Sequence, residues 1–183
     1  MYHIDNPKLK ITQGDIFCNF EYVRWAEPVG GDLEVDSIEM LFFVVLTQSC
    51  DLDQDFNNRS EKKENQDKFI QSILVCPAYL AELVKAGTHL KEQNLIMENY
   101  NSKLWGDIKR NNNSRYHFLE KDNKLQLPEL VIDFKQYYTI PTRILYSLNK
   151  KNYIGSLKPL FRECLSHRFA FYLSRIGLPD LIP

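Results

Sequence analysis

The chain has 183 residues, 44% of them apolar and 26% charged, with a formal net charge of −1. That composition suits one globular core and excludes a disordered chain. The near-neutral balance excludes a generally basic nucleic-acid coat, although a local basic groove stays compatible with it. Aromatic residues reach 13%, a bias toward strands and filled cores or toward a surface that stacks on bases.

The N-terminus, Met1-Tyr2-His3-Ile4-Asp5-Asn6-Pro7, has no basic segment leading into an apolar one, so no signal peptide is read. The longest apolar run, Met40 to Leu46, is too short to span a bilayer. The expectation is a cytoplasmic protein without a membrane role. Cys18, Cys50, Cys76 and Cys164 form no C-x-x-C pair, and in a reducing compartment they are expected to be buried free thiols.

Residues Ile11 to Trp25 read as a first strand. Gly14-Asp15 opens it, and Ile16, Cys18, Phe20 and Tyr22 alternate with Phe17, Asn19 and Glu21. Glu27 to Asp32 is a turn, because Pro28 fixes φ and Gly30-Gly31 permits positive φ. Ile38 to Thr47 is the strongest strand signal, apolar on both faces and therefore central. It runs into the polar stretch Thr47 to Asp53, and Asn57 to Lys68 is expected to be a charged loop. Phe69 to Cys76 is a strand stopped by Pro77. Tyr79 to Ala86 predicts a short helix ended by Gly87, and Gln93 to Lys109 a second helix. Short strands follow at Tyr116 to Leu119, Leu130 to Phe134 and within Tyr137 to Leu148, the last with Pro141 at an edge or bulge. A final helix opens at Pro159. It carries an apolar stripe of Leu160, Phe161, Cys164, Leu165, Phe169, Tyr172, Leu173 and Ile176, and it stops at Gly177 with Pro179 beyond. These elements together predict the α+β class.

The common chemistries leave few traces. The four histidines, His3, His89, His117 and His167, share no ligand spacing, and there is no H-E-x-x-H motif. Asp51, Asp53 and Asp55 start like a calcium loop, but Phe56 stands where its Gly is needed and Lys62 where its Glu is needed. No Gly-rich phosphate loop is present. Neither metal nor cofactor is expected. Cys50, at the mouth of the central strand, could serve a thiol hydrolase, but turn chemistry is the simpler account of Thr47-Gln48-Ser49-Cys50-Asp51.

Four signals in order carry a resemblance: Gly14-Asp15-Ile16; Phe43-Val44-Val45-Leu46-Thr47-Gln48-Ser49; Ile73-Leu74-Val75-Cys76-Pro77; and Val131 to Ile140 with Gln136 and Thr139-Ile140. The chain resembles the MazF/PemK-like toxins of the CcdB/PemK small-barrel type. The resemblance implies one domain over 1–183: a small SH3-like antiparallel β-barrel from 11–79 and 115–148, a helical insertion at 80–112 and an amphipathic C-terminal helix at 157–177. It implies an endoribonuclease that cuts single-stranded RNA without metal, in which the ribose 2′-OH attacks its own phosphate with help from a base, an acid and a cation. It also implies dimerisation through the barrel and an antitoxin or regulator as protein partner.

The chain departs from the family at two places. The Arg expected before the central strand is absent from Ser37-Ile38-Glu39-Met40, and the Ser/Thr expected after the third strand falls on Ala78 or Tyr79. Two readings follow. In the first, Arg115, His117, Ser49 and Asp51 act as catalytic groups, and Asp15, Thr47, Gln48 and Arg143 bind substrate, with turn chemistry as the alternative for Asp15. In the second, the scaffold is a non-catalytic binding or regulatory module in a toxin–antitoxin or antiphage-defence system. There the acidic stretch Asp51 to Asp55 and the C-terminal helix would hold a protein partner.

Overall fold

The computed structural model describes residues 1–4, 10–62, 64–148 and 151–175. Gly14 shows why the first long strand starts where it does. Its φ is +82°, and an added Cβ would stand 3.1 Å from the Leu157 Cβ, so only glycine fits comfortably. Its N–H donates to the Val45 carbonyl at 2.8 Å and its own carbonyl accepts from Leu157 N–H at 3.0 Å, tying one residue to two neighbouring strands.

In chain order the elements are β1 (Tyr2–His3), β2 (Asp15–Val29), β3 (Asp32–Val45), α1 (Ser49–Ser60), β4 (Ser72–Leu80) and α2 (Ala81–Lys85). After a 3₁₀ turn at Lys91–Gln93 come α3 (Ser102–Lys109), β5 (Tyr116–Leu119), β6 (Leu130–Asp133), β7 (Tyr138–Pro141), α4 (Thr142–Leu148), β8 (Tyr153–Leu157) and α5 (Pro159–Leu173). The fold is α+β. Its eight strands form one curled antiparallel half-barrel sheet, ordered β1-β8-β2-β3-β4-β6-β5, with β7 also beside β4. A C-terminal helix packs against it.

The sheet buries both of its faces, as the doubly apolar central strand predicts. Ile16, Val44, Ile132 and Phe134 pack with Leu165 and Phe169 of α5. On the other side Phe17, Phe43, Val45 and Ile73 pack with Leu52 of α1 and Leu145 of α4, and the Phe17 and Phe43 rings stack at 5.3 Å. A third cluster joins Val84 of α2 and Ile108 of α3 to Tyr116, Phe118 and Val131.

Several boundaries differ from the sequence expectation. The alternation in β2 breaks at Asn19, whose φ is +52°; Ile16 faces the first cluster whereas Phe17, Phe20 and Tyr22 face the second. The left-handed residue rotates the strand, and the Asn152 side chain donates to the Cys18 and Asn19 carbonyls at 2.9 and 3.2 Å to hold the twist. Asn57 to Ser60, expected in a loop, belongs to α1. The expected helix from Gln93 starts only at Ser102. There the Asn101 side chain caps it by accepting from the N–H groups of Lys103 and Leu104, both at 3.0 Å. Ile96 is 92% exposed, outside any apolar stripe. Tyr137 to Leu148 divides into β7, ended by Pro141, and α4. Strand β8 was not anticipated by the alternation pattern. Pro77 does not stop β4, which continues through it to Leu80. The expected helix end at Ile176, Gly177 and Pro179 lies outside the described residues.

Candidate functional site

Strands β3 and β4 are neighbours over only three pairs, Phe43 to Val45 against Val75 to Pro77. Beyond Pro77, residues Ala78 to Leu80 turn to pair with β6, while β3 from Ile38 to Phe42 stays with β2. Proline has no N–H to extend the ladder, which suits a position where a strand changes partner. The two strands therefore part, and the gap between them is a cleft of about 340 Å³.

The wall opposite β3 comes from α2 and the segment after it. Gly87 ends α2 at φ +70°, and an added Cβ there would lie 2.3 Å from the Met97 carbonyl oxygen. Met97 N–H donates to the Gly87 carbonyl at 2.9 Å, so residues 88–97 fold back as a closed loop that presents His89 and Glu92 to the cleft.

The floor is aromatic and polar. The His89 ring lies edge-on to Tyr79 at 5.0 Å and to Tyr116 at 6.4 Å. Neither ring nitrogen of His89 has a hydrogen-bond partner, and neither does the buried Tyr79 hydroxyl. His89 Nε2 stands 3.8 Å from Asp133 Oδ2, beyond hydrogen-bonding reach. The Asp133 carboxylate is committed elsewhere: Arg115 Nε and Nη2 donate to its two oxygens at 2.7 and 2.5 Å. Burial would raise the Asp133 carboxyl, but the Arg115 fork, the adjacent His89 ring and the Lys135 N–H outweigh it and hold it below the ordinary carboxylate range. Burial likewise drives the Tyr79 phenol upward, so it is a neutral hydroxyl.

The rim is acidic. Asp36, Glu39 and Glu92 line it against a single cation, Arg24. That guanidinium is already paired with Asp36, with Nε to Oδ2 at 2.7 Å. A cleft with this rim repels a phosphodiester and attracts a cation.

The eight residues singled out from the sequence fall in four places. Thr47, Gln48, Ser49 and Asp51 gather where β3 runs into α1. Thr47 Oγ1 accepts from Leu74 N–H at 2.7 Å, Gln48 is the exposed N-cap residue, Ser49 Oγ is buried without a partner, and Asp51 is exposed in the first turn. Asp15 is fully buried, where it accepts from Thr12 N–H at 2.7 Å, Thr12 Oγ1 at 2.8 Å and the Ser156 hydroxyl. That is turn-organising chemistry. Arg143 is exposed on α4.

Arg115 and His117 stand at β5, three strands from β3 in the sheet order, about 14 Å at ordinary strand spacing. Arg115 forks onto Asp133 as described. His117 is 4% exposed, and its Nδ1 accepts from Arg168 Nε at 3.1 Å. Burial first, and the Arg168 charge second, push this imidazole down to about 3. It is neutral at physiological pH and has no proton to give at Nδ1.

Cys50 is exposed, with its sulfur 3.6 Å from Gln48 Oε1 and 3.7 Å from Asp51 Oδ1. Cys164 is exposed too and Cys18 is half-buried, so of the four thiols expected inside only Cys76 is fully buried. Among the described residues no group of His, Cys, Asp and Glu could hold a metal ion, and no helix is long and apolar enough to cross a membrane. The residues that sequence reasoning missed are His89 and Tyr79. No local motif marks them, because their neighbour Asp133 is more than forty positions away in the chain. Comparison of the sequence with the profiles of known protein families, and with curated proteins, finds no match.

Proposed function

We propose that this chain is a MazF/PemK-like barrel that works as a binding or regulatory module and contacts a protein partner in a toxin–antitoxin or antiphage-defence setting. The observation that carries this reading is the acidic rim of Asp36, Glu39 and Glu92 on the β3–β4 cleft. A ribonuclease cleft must hold a polyanion, and this one carries the same negative sign as that ligand. Arg115 and His117 support the same reading. The guanidinium is committed to Asp133 and the imidazole is buried and neutral, so neither is available to a scissile phosphate. The SH3-like barrel and the helical insertion belong to this reading as well, supported by the curled antiparallel sheet and by α2 and α3 between β4 and β5.

The toxin-type endoribonuclease is the second reading. Ser49 favours it, since its Oγ is buried without a partner beside the exposed Asp51 at the start of α1. One experiment separates the two. Purified protein is incubated with a mixed-sequence single-stranded RNA and a chelator of divalent metal. The expected result is no cleavage even at a stoichiometric ratio. Cleavage that disappears in Ser49→Ala or Arg143→Ala would establish the nuclease and remove the binding-module reading.

A further inference from the structure

Strand β3 has one edge without a partner. From Ile38 to Phe42 it is bonded to β2 on one side, and among the described residues no strand pairs its other side. This is a row of backbone donors and acceptors lying along the β3–β4 cleft, and it can accept an added strand. Natural sheets blunt such edges with a bulge, an inward-pointing lysine or a cover. Here the flanking side chains are Glu39 and Leu41, both exposed, with Leu41 at 44%.

The charge around the edge has one sign. Between Glu21 and Asp36 the β2–β3 hairpin carries five carboxylates, Glu21, Glu27, Asp32, Glu34 and Asp36, against Arg24 alone, a local balance of −4. The whole chain is only −1, so the negative charge is concentrated on this arm and on the adjoining cleft. The arm also exposes Trp25, Leu33 and Val35 at 46%, 65% and 51%. Beneath the cleft, His89 and Tyr79 hold ring nitrogens and a hydroxyl with no hydrogen-bond partner. The Tyr79 ring borders the cleft as well.

Resting on the binding-module reading, we infer that the free β3 edge is the docking site for an extended, basic polypeptide segment of a partner protein. The segment adds as a strand beside Ile38 to Phe42. Its backbone satisfies the unpaired edge. Lysine or arginine side chains on the face shared with Glu39 and Leu41 meet Glu39 and Glu92, and their aliphatic stems cover Leu41.

The test uses the whole chain and three fluorescent peptides of about ten residues. One alternates lysine with valine, one alternates glutamate with valine, and one is the lysine peptide with N-methyl groups on alternate amides. Anisotropy is expected to show binding of the lysine peptide alone. Amide NMR shifts are expected at Ile38 to Phe42. The double variant Glu39→Lys/Glu92→Lys changes only exposed side chains. It is expected to lose affinity by about tenfold, a rim-charge effect.

Equal binding of the lysine and glutamate peptides, or undiminished binding of the N-methylated one, overturns the inference. So does self-association through the β3 edge in sedimentation equilibrium, which makes the occupant a second copy. Single-stranded RNA that perturbs Ile38 to Phe42 while the lysine peptide does not also overturns it. Because RNA cleavage is read separately, failure of the docking inference leaves the binding-module reading standing or falling on its own assay.

Discussion

An imidazole enclosed by apolar side chains and faced by a guanidinium holds a proton poorly, and His117 is in that position. Arg168 donates to its Nδ1 at 3.1 Å, to the Asn113 and Tyr116 carbonyls at 2.6 and 2.7 Å, and to the Asn111 carbonyl. One side chain of α5 thereby fastens β5 and the loop before it. The consequence is a pH dependence with a definite sign. The unfolded chain takes up a proton on this His near pH 6.5, the folded chain only near 3. Between those values the unfolded state binds more protons, so stability falls as pH drops through the window. His117→Gln keeps an acceptor for Arg168 and removes the titration. Urea unfolding at pH 7.5 and 4.5 should show a larger loss for the wild type than for the variant; equal losses would refute this. Sequence marks Arg115 and His117 as polar residues at a strand start. It does not show Asp133 or Arg168, the partners that decide what the two groups can do.

At the scale of elements, α5 shows how a stripe can be legible and still too wide. Leu165 and Phe169 are buried, and Phe134 packs on Phe169 and Tyr172 at ring distances of 5.5 and 5.9 Å. Leu160 and Leu173 of the same expected stripe are 73% and 52% exposed. On a helix of 3.6 residues per turn, Leu160, Cys164 and Phe171 lie on the side opposite Leu165 and Phe169. The seven described apolar positions of that stripe, at mixed spacings, therefore cover two faces, and the sheet takes only one. Burying the three side chains that do face the sheet is worth on the order of 5 kcal/mol before entropy. A chain ended after Leu157 should be insoluble or lose its cooperative unfolding transition. A soluble truncation with wild-type near-ultraviolet circular dichroism contradicts the assignment of α5 to the core.

Helix α1 is the opposite case. Its sequence, Ser49 to Ser60, is polar and carries Asp, Gln or Asn at half of its positions, which reads as a turn and a loop. Its anchor is Leu52, together with the buried Asp55, whose Oδ1 accepts from Arg59 Nε at 2.8 Å and from Ile70 N–H at 2.7 Å. The second of those bonds joins residues fifteen apart, so the helix is held by a contact that no local pattern displays.

Across the whole molecule, stability and recognition occupy different parts of the sheet. Residues 15–17 of β2 and 43–45 of β3 are buried throughout, whereas residues 23–35 are exposed throughout. Replacing residues 26–33 by a short turn should change the unfolding free energy by no more than about 1 kcal/mol, since exposed positions contribute little. A larger loss in urea would mean that the arm supports the core. The class, the central strand, the Gly14-Asp15 strand start and the C-terminal helix were determined by sequence alone, because each rests on spacing or turn chemistry within a few residues. The strand switch at Pro77, the rotation at Asn19 and the cleft over His89 and Tyr79 were decided only by tertiary structure. Each depends on which strand lies beside which, and in an antiparallel sheet that choice is made by groups far apart in the chain.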